Sequence, residues 1–91
     1  MSLHLVLTHH WFDEVKSGRK RIEYRKKSLY WYDRIWTKRG EIRSVTFARG
    51  YTSNTLTFDV TSIDQGSCPY PEWNDEYIRI HFSDNSPATT L

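Results

Sequence analysis

The sequence predicts a small α+β domain, a β-barrel of about five strands with two short helices. Three observations carry this: five short runs of two-residue apolar alternation, two short stretches of helical spacing, and a length of 91 residues that leaves no room for a second core. Full or partial closure of the sheet would remove the free edges that five loose strands expose. One domain is expected over residues 1–83, followed by a frayed tail over residues 84–91 rich in Ser, Asp, Asn, Pro and Thr.

The elements follow in order. Leu3, Leu5 and Leu7 alternate with His4 and Val6 and make a first strand with one buried face. Thr8 can cap a short helix through Trp11, Phe12 and Val15, and Gly18 can provide its left-handed stop. Residues 19–25 return to alternation, with Ile22 and Tyr24 on one side and Arg21, Glu23 and Arg25 on the other. Ser28 can cap a second helix in which Trp31 with Ile35 and Tyr32 with Trp36, each four apart, form two adjoining stripes, ended by Arg39-Gly40. Val45 and Phe47, then Leu56, Phe58 and Val60, form a hairpin across a turn-rich stretch at residues 49–54. Residues 65–74, with Gly66, Pro69 and Pro71, lack a period and read as a loop before a last strand through Ile78, Ile80 and Phe82.

Composition excludes several classes. Cys68 is the only cysteine, so no intrachain disulfide can form, and a secreted domain this small ordinarily needs such staples; a reducing cytoplasm is expected. The apolar stretch Leu3 to Leu7 is too short to span a membrane. His9 and His10 are adjacent rather than spaced to converge, so no metal is expected, and no phosphate loop or serine elbow suggests a cofactor.

Charge is distributed unevenly. Residues 16–49 hold twelve of the thirteen Lys and Arg against Glu23, Asp33 and Glu41, a net +9, whereas the remainder sets Arg79 against eight acids, a net −7. A dipolar surface of this kind suits a phosphate-bearing partner on its positive side, and equally fits solvated charges that cancel across the fold. Trp31, Tyr32, Trp36 and Tyr51 lie among Arg34, Lys38, Arg39 and Arg49, a mixture able to stack bases while neutralising phosphates. Trp31 and Trp36 also suit the anchoring of a short helix, so Tyr51, beside Gly50 in a turn, is the better stacking candidate.

The densest local signal is Ser17-Gly18-Arg19-Lys20-Arg21-Ile22-Glu23-Tyr24-Arg25. A helix stopped by glycine and followed by a charged strand puts ionic side chains at a barrel mouth, where Glu23 can hold Arg25 bidentately and leave Lys20 free for a ligand. A surface salt-bridge ladder has the same composition. Alternation sets Lys20 and Glu23 on opposite faces, so they converge only if Lys20 lies in the turn before the strand or a bulge intervenes, and the turn is the arrangement expected.

The run Gly18-x-Lys20-x-x-Glu23-x-Arg25, preceded by Trp11, Phe12 and Val15, resembles the signature of ASCH domains, relatives of the PUA RNA-binding fold. Tyr30-Trp31, Arg34-Ile35, Val45-x-Phe47 and Arg49-Gly50-Tyr51 extend the likeness to a compact bacterial and phage subgroup. The resemblance implies a β-barrel whose cleft presents Lys20, Glu23 and Arg25 to RNA, a nucleotide or a modified nucleoside, with Arg19, Arg21, Arg34, Lys38, Arg39, Arg49 and Tyr51 flanking it as a basic track. Some members deacylate N4-acylated cytidine with a lysine like Lys20, a threonine at the place of Glu23, and a later glutamate; here that later insert is reduced to the loop around Glu72. Others are linked to RNA cleavage, which would give Lys20 the charge developing on phosphorus and give Tyr51 or Glu23 a proton to move. A hydrolase and a protein-interaction module that engages an acidic partner stand as alternatives, and a monomer or weak dimer is expected.

Overall fold

The computed structural model describes residues 1–83, and the expected tail at residues 84–91 lies outside them. Among the described residues the order is β1 (Ser2–Leu7), α1 (His9–Lys16), β2 (Ile22–Lys26), α2 (Leu29–Trp31), β3 (Ser44–Arg49), β4 (Thr55–Gly66) and β5 (Tyr77–Phe82). They form one five-stranded sheet in the order β1-β3-β4-β5-β2. β1 runs parallel to β3, every other pair is antiparallel, and the sheet curls into a half-barrel whose two end strands are β1 and β2.

Curvature comes from β4. Its first half pairs with β3 and its second half with β5, and the register slips between Val60 and Ser62. Such a bulge adds twist and bends the strand, so one continuous segment turns the corner of the sheet. This is why β4 reaches twelve residues and takes in Gln65 and Gly66, which the sequence assigns to a loop. Ladder bonds to β5 hold residues 61–66 extended without any apolar alternation to announce it. The bare Cα of Gly66 gives the Arg79 guanidinium its place, since a Cβ there would stand 2.6 Å from the guanidinium carbon.

The concave face holds the core. Leu5, Phe47, Phe58, Ile78, Ile80 and Phe82 project into it, and α1 closes it with Phe12 at 0% and Val15 at 1% exposure. Phe47, Phe58 and Phe82 form a triangle with centroids 5.1 to 6.1 Å apart. Thr8 occupies the cap position of α1 but makes no side-chain cap bond; its carbonyl accepts from Phe12. Ser28 does cap α2, accepting from the Trp31 amide.

The second helix departs from the expected 3.6-residue winding. After Leu29–Trp31 it widens into a π-helical segment, Tyr32–Trp36, closed by the Thr37 amide donating to the Tyr32 carbonyl. The wider turn sends Ile35 alone fully into the core, with Trp31 and Trp36 half-buried beside it and Tyr32 exposed. On the other face of β2 and β5, residues 67–76 fold Cys68, Tyr70 and Trp73 over Tyr24 and Tyr77 as a second apolar cluster. No helix among the described residues is long and apolar enough to cross a membrane.

Further along that face Asp64 accepts two bonds from Arg79, at 2.7 and 2.9 Å, and lies 3.1 Å from the His81 imidazole. The hydrogen bonds from Arg79 hold the Asp64 carboxyl below its usual value of 3.8. Its contribution is therefore complete above that value and lost as pH falls through the lower, folded one. With 45% of the Asp64 side chain exposed, solvent limits the contribution to about 1 kcal/mol. Urea unfolding followed from neutral pH down to strong acid should show stability falling below about pH 4, and Asp64→Asn should flatten that fall; an identical acid profile for the variant would refute the assignment.

Candidate functional site

The site is built where the sheet fails to close. The turn that follows α1 is made at Gly18, whose φ of 90° is comfortable only without a Cβ. There the Gly18 amide donates to the Val15 carbonyl and the Lys20 amide to the Glu14 carbonyl. These bonds place Lys20 in the turn before β2, as expected, and free its side chain from the alternation of the strand. Within β2, Glu23 lies opposite Ile80 and Arg25 opposite Ile78, so both acid and base point to the core side of the sheet.

Three ionic groups meet there. Lys20 Nζ donates to Glu23 Oε1 at 2.6 Å, and Arg25 Nε donates to Glu23 Oε2 at 2.9 Å. Glu23 is 3% exposed and Lys20 5%. The expected bidentate grip of Glu23 on Arg25 is not formed, because one carboxylate oxygen serves each cation; Lys20 is consequently engaged rather than free. Arg25 also donates from Nη2 to the Val6 carbonyl at 3.3 Å, and so ties β2 to the unpaired edge of β1.

Two cations and one anion leave a formal surplus of +1 in a poorly solvated place, which is costly unless something else offsets it. Aromatic faces do so: Lys20 Nζ stands 4.5 Å from the Trp11 ring centre, and the Arg25 guanidinium stands 4.8 Å from that of Trp31. Each cation thus lies between a carboxylate oxygen and a negative ring face.

Above this floor opens a cleft of about 540 Å³, which reaches around the free edge of β2 and is walled by Trp11, Trp31, Trp73, Tyr24 and Tyr77. Its charged lining is Lys20, Arg25 and Lys26 against Glu23, Glu72 and Asp75, which balance. The cleft is aromatic and formally neutral, and the positive excess lies outside it. Burial raises the Tyr24 hydroxyl above its usual 10.0, so it remains a neutral phenol at physiological pH. Glu72, at the rim, adopts a φ of 70°, a left-handed conformation rare for a residue with a Cβ and often associated with functional positions.

The other sequence candidates scatter. Arg19 pairs with Glu14 at 2.8 Å and Arg49 with Asp13 at 3.1 Å, both on the outside of α1. Arg21 turns back to the Lys20 carbonyl. Tyr51 is 98% exposed on the β3–β4 turn and does not line the cleft. Arg34 lies over Tyr30, Arg39 over Trp36, and Lys38 beside Arg34 in a separate groove. Of the ten candidate residues, the cleft gathers Lys20, Glu23 and Arg25.

Sequence reasoning noted the loop around Glu72 without making Glu72 a site residue, and missed Trp73 and Asp75. Their one signal is bulk without period: Tyr70, Trp73 and Tyr77 fall in or beside a stretch where no helix or strand face demands large rings. Among the described residues no group of three or more His, Cys, Asp or Glu side chains converges to hold a metal. Comparison with family models, with curated proteins and with solved structures finds no match for this chain.

Removing Glu23 strands two cations, whereas removing Lys20 leaves Glu23 still neutralised by Arg25. Glu23→Ala should therefore cost about 3–5 kcal/mol, and Lys20→Met distinctly less. Urea unfolding of both variants checks this order, and equal losses would contradict the shared-carboxylate arrangement.

Proposed function

We propose that the chain is a binding domain of the ASCH and PUA-like kind, whose cleft takes a nucleobase, either free as a modified nucleoside or carried by RNA. The observation that supports this reading best is the combination of a neutral, ring-walled cleft with a floor of fixed hydrogen-bonding charges. A nucleobase is flat, formally uncharged and edged with both donors and acceptors. Rings offer its faces stacking worth about 1–3 kcal/mol per base. Arg25 offers donors to its carbonyl and ring-nitrogen acceptors, and Glu72 and Asp75 at the rim offer acceptors to its amino groups.

Binding is favoured over hydrolysis of an acylated base by the state of Lys20. Its ammonium is held by Glu23 at 2.6 Å and by the Trp11 face, which suits a structural cation better than a group that must move a proton to substrate. A purely electrostatic grip on an acidic protein is disfavoured by the balanced lining, which gives such a partner nothing to neutralise inside the cleft. The lone, buried Cys68 fits a reducing compartment such as the cytoplasm.

Tryptophan fluorescence titrated with nucleosides, N4-acetylcytidine included, tests the proposal. At least one should quench the signal with an affinity nearly independent of salt, and Trp73→Ala should weaken it about tenfold or more, the loss of one stacking partner. Silence from every nucleoside at millimolar concentration would remove the reading, and turnover of the acylated base would replace it with the hydrolytic one.

A further inference from the structure

Rings and cations do not stop at the cleft. Arg25 lies 4.8 Å over Trp31, Trp31 meets Tyr30 edge to face at 4.8 Å and 87°, and Arg34 lies 4.2 Å over the far ring. These four side chains form a ladder from the cleft floor to a second groove of about 590 Å³, lined by Leu29, Tyr30, Asp33, Arg34, Thr37 and Lys38. Leu29 is 80% exposed and Tyr30 55%. Among the described residues neither Arg34 nor Lys38 has a carboxylate within 4.0 Å, which they share with Lys16, Arg21, Lys26, Arg39 and Arg43, whereas Arg19, Lys27, Arg49 and Arg79 are paired. One turn further, Arg39 repeats the motif over Trp36 at 4.1 Å.

We propose that this second groove receives the nucleotide adjacent to the base held in the cleft, so that the ligand is a single-stranded oligonucleotide and not an isolated nucleoside. The inference rests on the nucleobase reading of the cleft and adds its continuation. Each nucleotide brings one flat base and one negative phosphate, and the ladder repeats one ring with one cation along the chain from Arg25 to Arg39. An acidic protein would use the cations and leave the exposed rings unmatched, whereas a strand uses both. Arg34 and Lys38 are exposed together on this groove beside Tyr30, while Ile35 anchors the segment in the core.

The experiment compares a mononucleoside, a labelled single-stranded RNA hexamer and hexaglutamate on the wild type and on Arg34→Gln/Lys38→Gln. Both positions are exposed, so the double variant should fold, with circular dichroism as the check. The hexamer should bind the wild type at least about tenfold tighter than the nucleoside, with a steep salt dependence. The double variant should close that gap and reduce the salt slope by about 1.4, roughly 0.7 for each single-strand phosphate that is no longer neutralised. No gap in the wild type, or a gap and slope unchanged in the variant, overturns the proposal, as does hexaglutamate binding more tightly than RNA with the same dependence on Arg34 and Lys38. A nucleoside that fails to bind, beside a hexamer whose slope still falls in the variant, counts against the cleft alone and leaves the groove standing.

Discussion

The carboxylate of Glu23 is the constraint on which the architecture and the site both depend. β1 and β2 face each other across the open side of a curled sheet without joining it by a ladder. What crosses the gap is side chain: Glu23 fixes Arg25, and Arg25 reaches the Val6 carbonyl. A fifth ladder would have sealed the barrel and filled the space that is now a cleft. Closure by ions leaves a hollow, and because the ions are sheltered by Trp11 and Trp31, the hollow is aromatic. Edge protection, which small barrels obtain by full closure, is here left partial and combined with an open cleft.

Much of this is legible in the residues. The alternations through Leu3, Phe47, Phe58 and Ile80 predict strands with one buried face, and those residues are core. Gly18 announces the turn that carries Lys20 to Glu23, and the convergence of the pair follows from that one backbone position. Other features carry no one-dimensional trace. Residues 61–66 are extended because β5 pairs with them, and no local preference of their own encodes that partner. The π-helical winding of Tyr32–Trp36 preserves apolar spacing well enough to read as an ordinary helix. The loop residues Glu72 and Trp73 have no period, so only the fold reveals that they border a cavity.

Charge shows the same division between what a chain states and what a fold does with it. The +9 segment suggests a broad basic face, yet Arg19, Lys27 and Arg49 each meet an acid from outside that segment. Glu14, Glu76 and Asp13 thus neutralise three of the segment's twelve cations locally. Of the cations left without a carboxylate among the described residues, Arg34 and Arg39 lie over the rings of Tyr30 and Trp36, whereas Lys16, Arg21, Lys26 and Arg43 sit elsewhere on the fold.

The parallel pairing of β1 with β3 has a kinetic meaning. Aligning Leu5 with Phe47 requires the chain to close a loop of roughly 40 residues, an entropic penalty that local hairpins such as β3–β4 avoid. On the opposite wall, β2 meets β5 across a still longer stretch of chain. Val6, and Trp11 just behind it, arrive at the cavity only with the amino-terminal strand. The cleft wall is thereby assembled partly by distant pairing, while Lys20 and Glu23 at its floor meet locally, and undocking of β1 would take Val6 and Leu7 out of that wall.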